Sequence, residues 1–147
     1  MLRVVLGLAA LAACATVVLA QNTAAITARK DAMKALGGAT KDPGAIAKGE
    51  APFDLAKVQA SLKTIESTAA KAKTVFPADS KDGDTAALPV AFTNQADLFA
   101  KFDKMGADAK AAQAAIKDEA SFKAEWPKVV ASCGGCHKVY RKPPPAK

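Results

Sequence analysis

The sequence predicts an all-α protein, folded as an antiparallel four-helix bundle. The 147 residues are rich in Ala and Lys, which favour helix, and poor in strand-forming residues. Apolar residues recur at alternating steps of three and four, which places them on one face of a helix. Clusters of Pro, Gly and Asp divide these periodic stretches. Four helices with one apolar face each are expected to bury those faces against one another.

The first twenty residues are predicted to be a secretory signal peptide rather than part of the bundle. A short positive start ending at Arg3 precedes an uncharged apolar run over residues 4–19, and small residues stand before Ala20. The run falls short of the roughly 20 apolar residues that a transmembrane helix needs. Cleavage after Ala20 leaves a mature domain over residues 21–147 and predicts a periplasmic protein that does not associate with the membrane.

Two other interpretations of this segment stay open. An uncleaved segment would act as a membrane anchor. Leu11-Ala12-Ala13-Cys14 also has the form of a lipid-attachment box, which would make Cys14 the first residue of a lipoprotein. Cleavage after Ala20 removes Cys14, and the mature chain then keeps Cys133 and Cys136 as its cysteines and His137 as its histidine.

The first two bundle helices have predicted bounds. The first has a weak apolar pattern that ends near Gly37-Gly38, and Asp42-Pro43-Gly44 is expected to end or interrupt it. A short extra helix is compatible with Ala45–Lys48. The second helix is predicted to begin at Asp54, a suitable N-cap, and to close at Phe76-Pro77.

A long connection over residues 77–93 precedes the third helix, which Thr93 or Asn94 is expected to cap. The chain turns into the fourth helix over Asp118–Ser121, and Pro127 is expected to kink that helix. The predicted apolar seams of the last three helices are Val58, Leu62, Ile65, Ala69, Ala72 and Phe76; Leu98, Phe102, Met105, Ala109, Ala112 and Ile116; and Phe122, Trp126, Val129, Cys133, Cys136 and Tyr140.

The chemistry is carried by Cys133-Gly134-Gly135-Cys136-His137, a C-x-x-C-H haem attachment motif. Two thiols at this spacing reach two vinyl groups on one edge of a haem, and the next residue places an imidazole at the iron. Cys133 and His137 are one helical turn apart and therefore share a face. The motif predicts one covalent haem c with His137 as an iron ligand. A buried macrocycle would also supply apolar volume to a core in which many seam positions are Ala and large aromatics are few.

Three alternatives compete with haem attachment. A zinc site would require about four Cys, His or carboxylate ligands, and the mature chain has no further Cys or His. A thioredoxin-like dithiol is expected in a βαβ setting, whereas the sequence has no strand pattern. A chance match to five residues is disfavoured by the single histidine and by the predicted export.

The position of the motif is informative, since it ends ten residues before the C-terminus, on the last of four helices. Small cytochromes c ordinarily carry this motif near the N-terminus. The whole mature chain resembles instead the class II cytochromes c, the cytochrome c′ family, in its length, its four-helix pattern and its terminal sequence through Arg141. Residues 44–54 are similar to those of the low-spin members of that class.

The resemblance also implies roles for three further residues. A basic residue at the position of Arg29 lies near the haem propionates in the family, and one at Arg141 lies beside the haem. A residue at the position of Met33 faces the distal side of the iron. An exposed salt bridge is the alternative for each arginine, and Met33 has packing in an apolar helix face as its alternative. Met105 is expected to pack in the third-helix seam.

The sixth ligand decides between two predicted functions. If Met33 supplies its thioether sulfur, the iron has His137/Met33 ligation, which suits fast electron transfer and predicts a carrier of single electrons between redox partners. If Met33 only packs there, the iron is five-coordinate and binds a small gas such as nitric oxide or carbon monoxide. The sequence has no constellation of catalytic base and nucleophile, so no enzyme is predicted. A peroxidase would need a distal histidine.

The charge of the chain bears on its partners. Loss of Arg3 leaves 20 basic and 14 acidic residues, and two haem propionates would reduce the resulting net charge of +6 to about +4. This balance favours acidic redox partners. The charges are dispersed, without an Arg-rich stripe interleaved with aromatics, so nucleic acid is not an expected partner. A monomer and a homodimer are both compatible with the sequence.

Overall fold

The computed structural model of the protein describes residues 23–144. The predicted signal peptide, its cleavage site and Cys14 lie outside the described residues. The helices are α1 (helical over 23–39), α2 (Lys41–Ala47), α3 (Leu55–Ala72), α4 (Val90–Thr93), α5 (Gln95–Ala115) and α6 (Glu119–Tyr140), with single 3₁₀ turns at Lys73–Val75 and Ala78–Ser80. Over residues 23–144 no helix is long and apolar enough to cross a membrane.

Contacts near both ends of α3 show that it runs antiparallel to α5. Gln59, near the start of α3, donates its side-chain amide to the carbonyl oxygens of Gln113 (3.0 Å) and Ile116 (3.1 Å), at the end of α5. Lys73, just beyond α3, forms an ion pair with Asp103 in the first half of α5 (2.5 Å between Nζ and Oδ1).

The next pair of helices, α5 and α6, is also antiparallel. Ser132 donates its hydroxyl to Asp108 in the second half of α5 (2.9 Å), and Tyr140 at the end of α6 donates its hydroxyl to Asp97 near the start of α5. With α1 and α3 these helices form the predicted antiparallel four-helix bundle, and the prediction of an all-α fold is confirmed.

Two of the predicted helix starts are confirmed by their capping bonds. The Asp54 side chain accepts from the Lys57 N–H (3.1 Å) at the start of α3. Asp118 and Ser121 form a capping box at the start of α6, in which each side chain accepts from the other's backbone N–H. The helix then continues to Tyr140 through Pro127, so the kink predicted there does not interrupt it.

One boundary prediction was wrong. The first helix ends at residue 39, and Asp42 and Pro43 lie in the first turn of α2 rather than in a break, because the start of a helix tolerates a residue without an N–H. The predicted start of the third bundle helix is confirmed, since Asn94 is the N-cap residue of α5, although its side chain makes no capping bond there. Asn94 also ends α4, and its backbone N–H donates to the Val90 carbonyl.

The core consists of two clusters of buried residues. The first cluster lies mainly among α3, α5 and α6, and the second lies where α3 ends and α5 begins. The first cluster is Leu36, Ala39, Ile46, Val58, Leu62, Ile65, Ala69, Met105, Ala109, Ala112, Ile116, Phe122, Trp126 and Val129. The second cluster is Ala72, Phe76, Ala91, Leu98, Phe102 and Tyr140. Apart from the two cysteines, every residue of the three predicted seams is buried.

Candidate haem site

The attachment motif lies on α6, where the two thiols contact different parts of the core. Cys133 and Cys136 are both free and half-buried. Cys133 packs against the first cluster and Cys136 against the second. Burial raises the pKa of both thiols, so they are neutral near pH 7. An uncharged thioether linkage therefore suits these positions better than a thiolate would.

The imidazole that follows the second cysteine has the protonation state of a metal ligand. Partial desolvation, and secondarily the positive charge of Arg141, lower the pKa of His137. A neutral imidazole has a free nitrogen lone pair, which is the form that binds iron. His137 lies towards the exposed side of α6, and its carbonyl oxygen accepts the hydrogen bond from Arg141 that closes the helix (3.2 Å).

The two glycines of the motif are surrounded by open space. A Cβ added at Gly134 or Gly135 would meet nothing within 4 Å outside its own stretch of helix. Packing within the chain therefore does not require glycine here, although two glycines in a helix cost about 1 kcal/mol each relative to Ala. The space beside the thiols leaves room for a flat ring to lie against the helix backbone. Two neutral thiols, a neutral imidazole and this open surface fit the covalent attachment of a haem.

Met33 contacts both clusters of the core. It lies on α1, is half-buried, and packs against both the first and the second cluster. Cys133 packs against the first cluster and Cys136 against the second, so Met33 shares one cluster with each of the two cysteines. The assignment of Met33 as a ligand stays a prediction, and its position is compatible with that role.

Arg29, one helical turn before Met33, is buried rather than in an exposed salt bridge; only 5% of it is exposed. Nη1 donates to the Val75 carbonyl (2.9 Å) and the Ser80 hydroxyl (3.1 Å), and Nη2 donates to the Ser80 carbonyl (2.9 Å) and the Thr85 hydroxyl (3.2 Å). The guanidinium also lies near the Phe76 and Phe92 rings, 4.9 and 5.1 Å from their centroids.

The acceptors of Arg29 are all neutral oxygens, so a buried positive charge lacks an anionic partner among these four bonds. Desolvation lowers the pKa of Arg29, which nevertheless stays charged because a guanidinium does not deprotonate in proteins. This environment is compatible with a propionate as counter-ion, and that role stays a prediction. The alternative of an exposed salt bridge for Arg29 was wrong.

Arg141 directly follows α6 and is exposed. Its backbone forms an isolated antiparallel bridge with Ala87, and its positive charge contributes to the lowered pKa of His137. The structure therefore places Arg141 beside the attachment motif, whereas its contact with a haem stays a prediction.

Sequence reasoning missed three polar residues at this end of the bundle. Ser80 and Thr85 are buried, at 0% and 8% exposure, and hold Arg29. They lie in the irregular connection between α3 and α4, where no periodicity marks a residue as buried. Asp97 accepts from Tyr140 and forms an ion pair with Lys101 (3.5 Å). A buried tyrosine hydroxyl usually has a hydrogen-bond partner, so the presence of Tyr140 in the seam of α6 could have indicated that a polar residue lies nearby.

The fold and the motif together define a class of protein: a c-type haem protein in which the haem is attached to the last helix of a four-helix bundle. The family model for cytochrome C′ matches residues 24–141. The chain belongs to the cytochrome c′ family, and its cofactor is covalent haem c with its iron.

Individual relatives agree with this assignment. The chain is 47% identical to a cytochrome c′ of Rhodopseudomonas palustris over 121 residues, which cover 82% of this chain and 83% of that protein. It is 40% identical to a cytochrome c-556 of Agrobacterium fabrum over 114 residues, or 77% of each chain. A solved structure of cytochrome c′ from Rhodopseudomonas palustris superposes with a TM-score of 0.80 at 46% identity and covers 82% of this chain and 98% of its own.

Proposed function

We propose that this protein carries single electrons between redox partners in the periplasm, with His137 and Met33 as the axial ligands of its haem iron. Family membership implies a haem carrier that serves electron transfer or gas binding. The observation that favours electron transfer is the position of Met33 at the junction of both core clusters. When bound, the haem supplies a one-electron Fe(III)/Fe(II) couple.

The residues around the site have separate tasks in this proposal. Cys133 and Cys136 bind the haem edge covalently and hold it against α6. The neutral imidazole of His137 would bind the iron. Met33 would supply an uncharged thioether as the second protein ligand and would exclude competing ligands such as water or gas. Histidine and methionine together raise the reduction potential, which suits a carrier.

The direct test compares two methionine variants of the holoprotein. Wild-type protein is expected to show a methionine-to-iron charge-transfer band when ferric and to bind carbon monoxide weakly when ferrous. Met33→Ala should lose the band and bind carbon monoxide readily. Met105→Leu is the matched control, because Met105 is buried in the first cluster on α5. A high-spin wild-type spectrum with ready carbon monoxide binding would instead support the second candidate function, gas binding at an apolar distal face.

The same proposal includes an acidic redox partner. Three exposed cations lie at the end of α6, namely Lys138, Arg141 and Lys142. The positive charge of Lys101 is close enough to Cys136 to oppose the rise in the pKa of that thiol. Cations close to the attachment motif favour approach of an anionic partner, and this attraction weakens as salt screens it.

Docking of an anionic partner is testable with the anionic oxidant ferricyanide as a probe. Its rate with the ferrous protein should fall as ionic strength rises. Replacing Lys138 and Lys142 by Gln should reduce that dependence, while Lys63→Gln and Lys110→Gln on the exposed faces of α3 and α5 should not. Equal salt dependence in both double variants would contradict docking at this end of the bundle.

A further inference from the structure

Thr85 connects the helix of Met33 to the helix of His137. It is 8% exposed, and its hydroxyl accepts both from Arg29 Nη2 (3.2 Å) and from the Ala87 N–H (3.1 Å). Its carbonyl oxygen accepts from Lys142 Nζ (2.9 Å). One residue of the irregular connection therefore contacts α1 through its side chain and the end of α6 through its backbone.

The segment over residues 85–88, called the strap here, is tied to the end of α6 by its backbone. The Leu88 N–H donates to the Tyr140 carbonyl (2.9 Å), and the Lys142 N–H donates to the Ala86 carbonyl (2.8 Å). These bonds flank the bridge between Ala87 and Arg141. Since α6 ends one turn after His137, the strap is fixed close to His137, the predicted iron ligand.

On its other side, the strap and the residues before it are tied to α1. Arg29 bonds to Ser80 as well as to Thr85, and Lys30 forms an ion pair with Asp84 (2.5 Å between Nζ and Oδ2). Arg29 and Met33 are four residues apart and lie on the same face of α1. A displacement of Arg29 relative to the strap therefore carries Met33 with it.

We propose that Thr85 is a positioning residue, which sets the distance between Met33 and His137 across the haem and thereby selects electron transfer over gas binding. The inference rests on the proposed function, because it assigns Met33 to the distal side. It adds that the strength of Met33 ligation depends on the Thr85 hydroxyl, whose described hydrogen bonds are to Arg29 and Ala87. Without that hydroxyl, one Arg29 N–H and the Ala87 N–H lose their acceptor, and α1 is held to the connection by fewer bonds, namely those of Arg29 to Val75 and Ser80 and of Lys30 to Asp84.

The test measures the affinity of the ferrous holoprotein for carbon monoxide in matched threonine variants. Thr85→Val keeps the volume and removes the hydroxyl, Thr85→Ser restores it, and Thr64→Val is the control, because the Thr64 hydroxyl bonds only to Ala60 within α3 among the bonds described. Loss of a hydrogen bond to a charged group should raise the apparent affinity about tenfold in Thr85→Val, since gas binding competes with Met33. Thr85→Ser should stay near wild type and Thr64→Val should not differ from it.

Equal affinities in Thr85→Val and Thr64→Val would overturn the positioning role. Met33 ligation is judged separately, on the wild-type spectrum: a five-coordinate wild type would overturn the proposed function and this inference with it, whereas a six-coordinate wild type with equal affinities in the two threonine variants would overturn the inference alone. Lys142→Met provides a second variant if Thr85→Val does not fold, because it removes a partly buried bond to the strap; the loss of one positive charge does not bear on the binding of carbon monoxide, which is neutral. This variant should shift the affinity in the same direction by a smaller factor, and wild-type affinity in Lys142→Met would then count against the proposal.

Discussion

The interface between α3 and α5 and the haem end of the bundle are built in different ways. The centre of the interface is apolar and closed to solvent, since Val58, Leu62, Ala109 and Ile116 are all fully buried, and its polar contacts lie at the margins. Small residues bring the two helices close together, and a Cβ at Gly106 would lie 3.8 Å from the Cβ of Ala69. This region is complete without a cofactor.

The haem end, in contrast, mixes half-buried and polar groups. Cys133, Cys136 and Met33 keep part of their surface exposed, and Arg29 is buried among neutral oxygens. Among the described residues, the three sulfur-containing side chains are therefore only half-buried, and the hydrogen-bond acceptors of Arg29 are all neutral. One region stabilises the fold through apolar packing, whereas we expect the half-buried groups of the other to complete their contacts with the haem. Stability and spectrum should therefore respond to mutations in different places.

The largest expected effect on stability comes from Phe122→Ala in the first cluster. Phe122 is fully buried and lies against the Phe53 and Trp126 rings, with centroids 5.8 and 5.9 Å away. Its truncation should reduce the free energy of unfolding by about 3–5 kcal/mol. The haem spectrum of the folded variant should match that of wild type. Denaturant unfolding and absorption spectra measure the two effects. A large spectral change would show that the packing of the first cluster and the haem site are not independent.

A second expected effect lies at the haem end and depends on pH. Tyr140→Phe removes the hydroxyl that donates to Asp97 and should cost about 1.5–3 kcal/mol, near the lower value because Asp97 is exposed and regains water. Burial, and secondarily Asp97, raise the pKa of Tyr140 to about 12, above an ordinary value of about 10. The folded state thus holds the tyrosine proton more tightly than the unfolded state. With respect to the ionisation of Tyr140, this contribution is complete below pH 10 and is lost as the pH rises towards 12.

Paired thermal melts of wild type and Tyr140→Phe test this linkage. The difference between their melting temperatures should be constant around neutral pH and shrink from pH 10 to 12 as Tyr140 ionises. It should also shrink in acid as Asp97 becomes protonated, because the Tyr140 hydroxyl lowers the pKa of Asp97 and this stabilisation is lost once the carboxylate is neutral. A difference that widens from pH 10 to 12 would show that the hydroxyl does not stabilise the folded state as a donor.

Met33→Leu should have the opposite effects to Phe122→Ala, namely a large change in the haem spectrum and a small change in stability. The swap nearly conserves volume in a half-buried site, so the change in packing alone should cost less than about 1.5 kcal/mol in unfolding free energy. It removes the thioether sulfur, however, and should convert the ferric spectrum from low-spin to high-spin. Absorption spectra and denaturant melts of the same sample measure both quantities. An unchanged spectrum would remove Met33 from the ligand set.

The smallest expected effect is a gain in stability from Gly106→Ala at the interface of α3 and α5. The added Cβ would lie 3.8 Å from Ala69 Cβ and 3.9 Å from the Glu66 carbonyl oxygen, which is ordinary van der Waals contact. Replacing a helical glycine by alanine should then stabilise the protein by about 0.5–1 kcal/mol. The thermal melt should shift upward with no spectral change; a loss of stability would show that the interface cannot accept a further methyl group.

The two regions also differ in how much of them the sequence predicts. The seams of α3 and α5 follow from periodicity alone, because a buried face of a helix repeats every three to four residues. The attachment site follows from a motif whose chemistry requires Cys133, Cys136 and His137 at fixed spacing. Neither signal exists for Ser80 and Thr85, since polar residues in an irregular connection are buried only because Arg29 needs acceptors there. Placing Asp42 and Pro43 in a break failed because proline is equally compatible with a helix start.

The central claim is that Met33 binds the iron opposite His137, and proton NMR of the ferrous holoprotein tests it most directly. A methionine bound to low-spin haem iron lies over the ring, so its methyl resonance is shifted strongly upfield by the ring current. One such resonance is expected in wild type and in Met105→Leu, and none in Met33→Leu. A wild-type spectrum without a shifted methyl resonance, or a resonance that disappears in Met105→Leu and persists in Met33→Leu, would contradict the account.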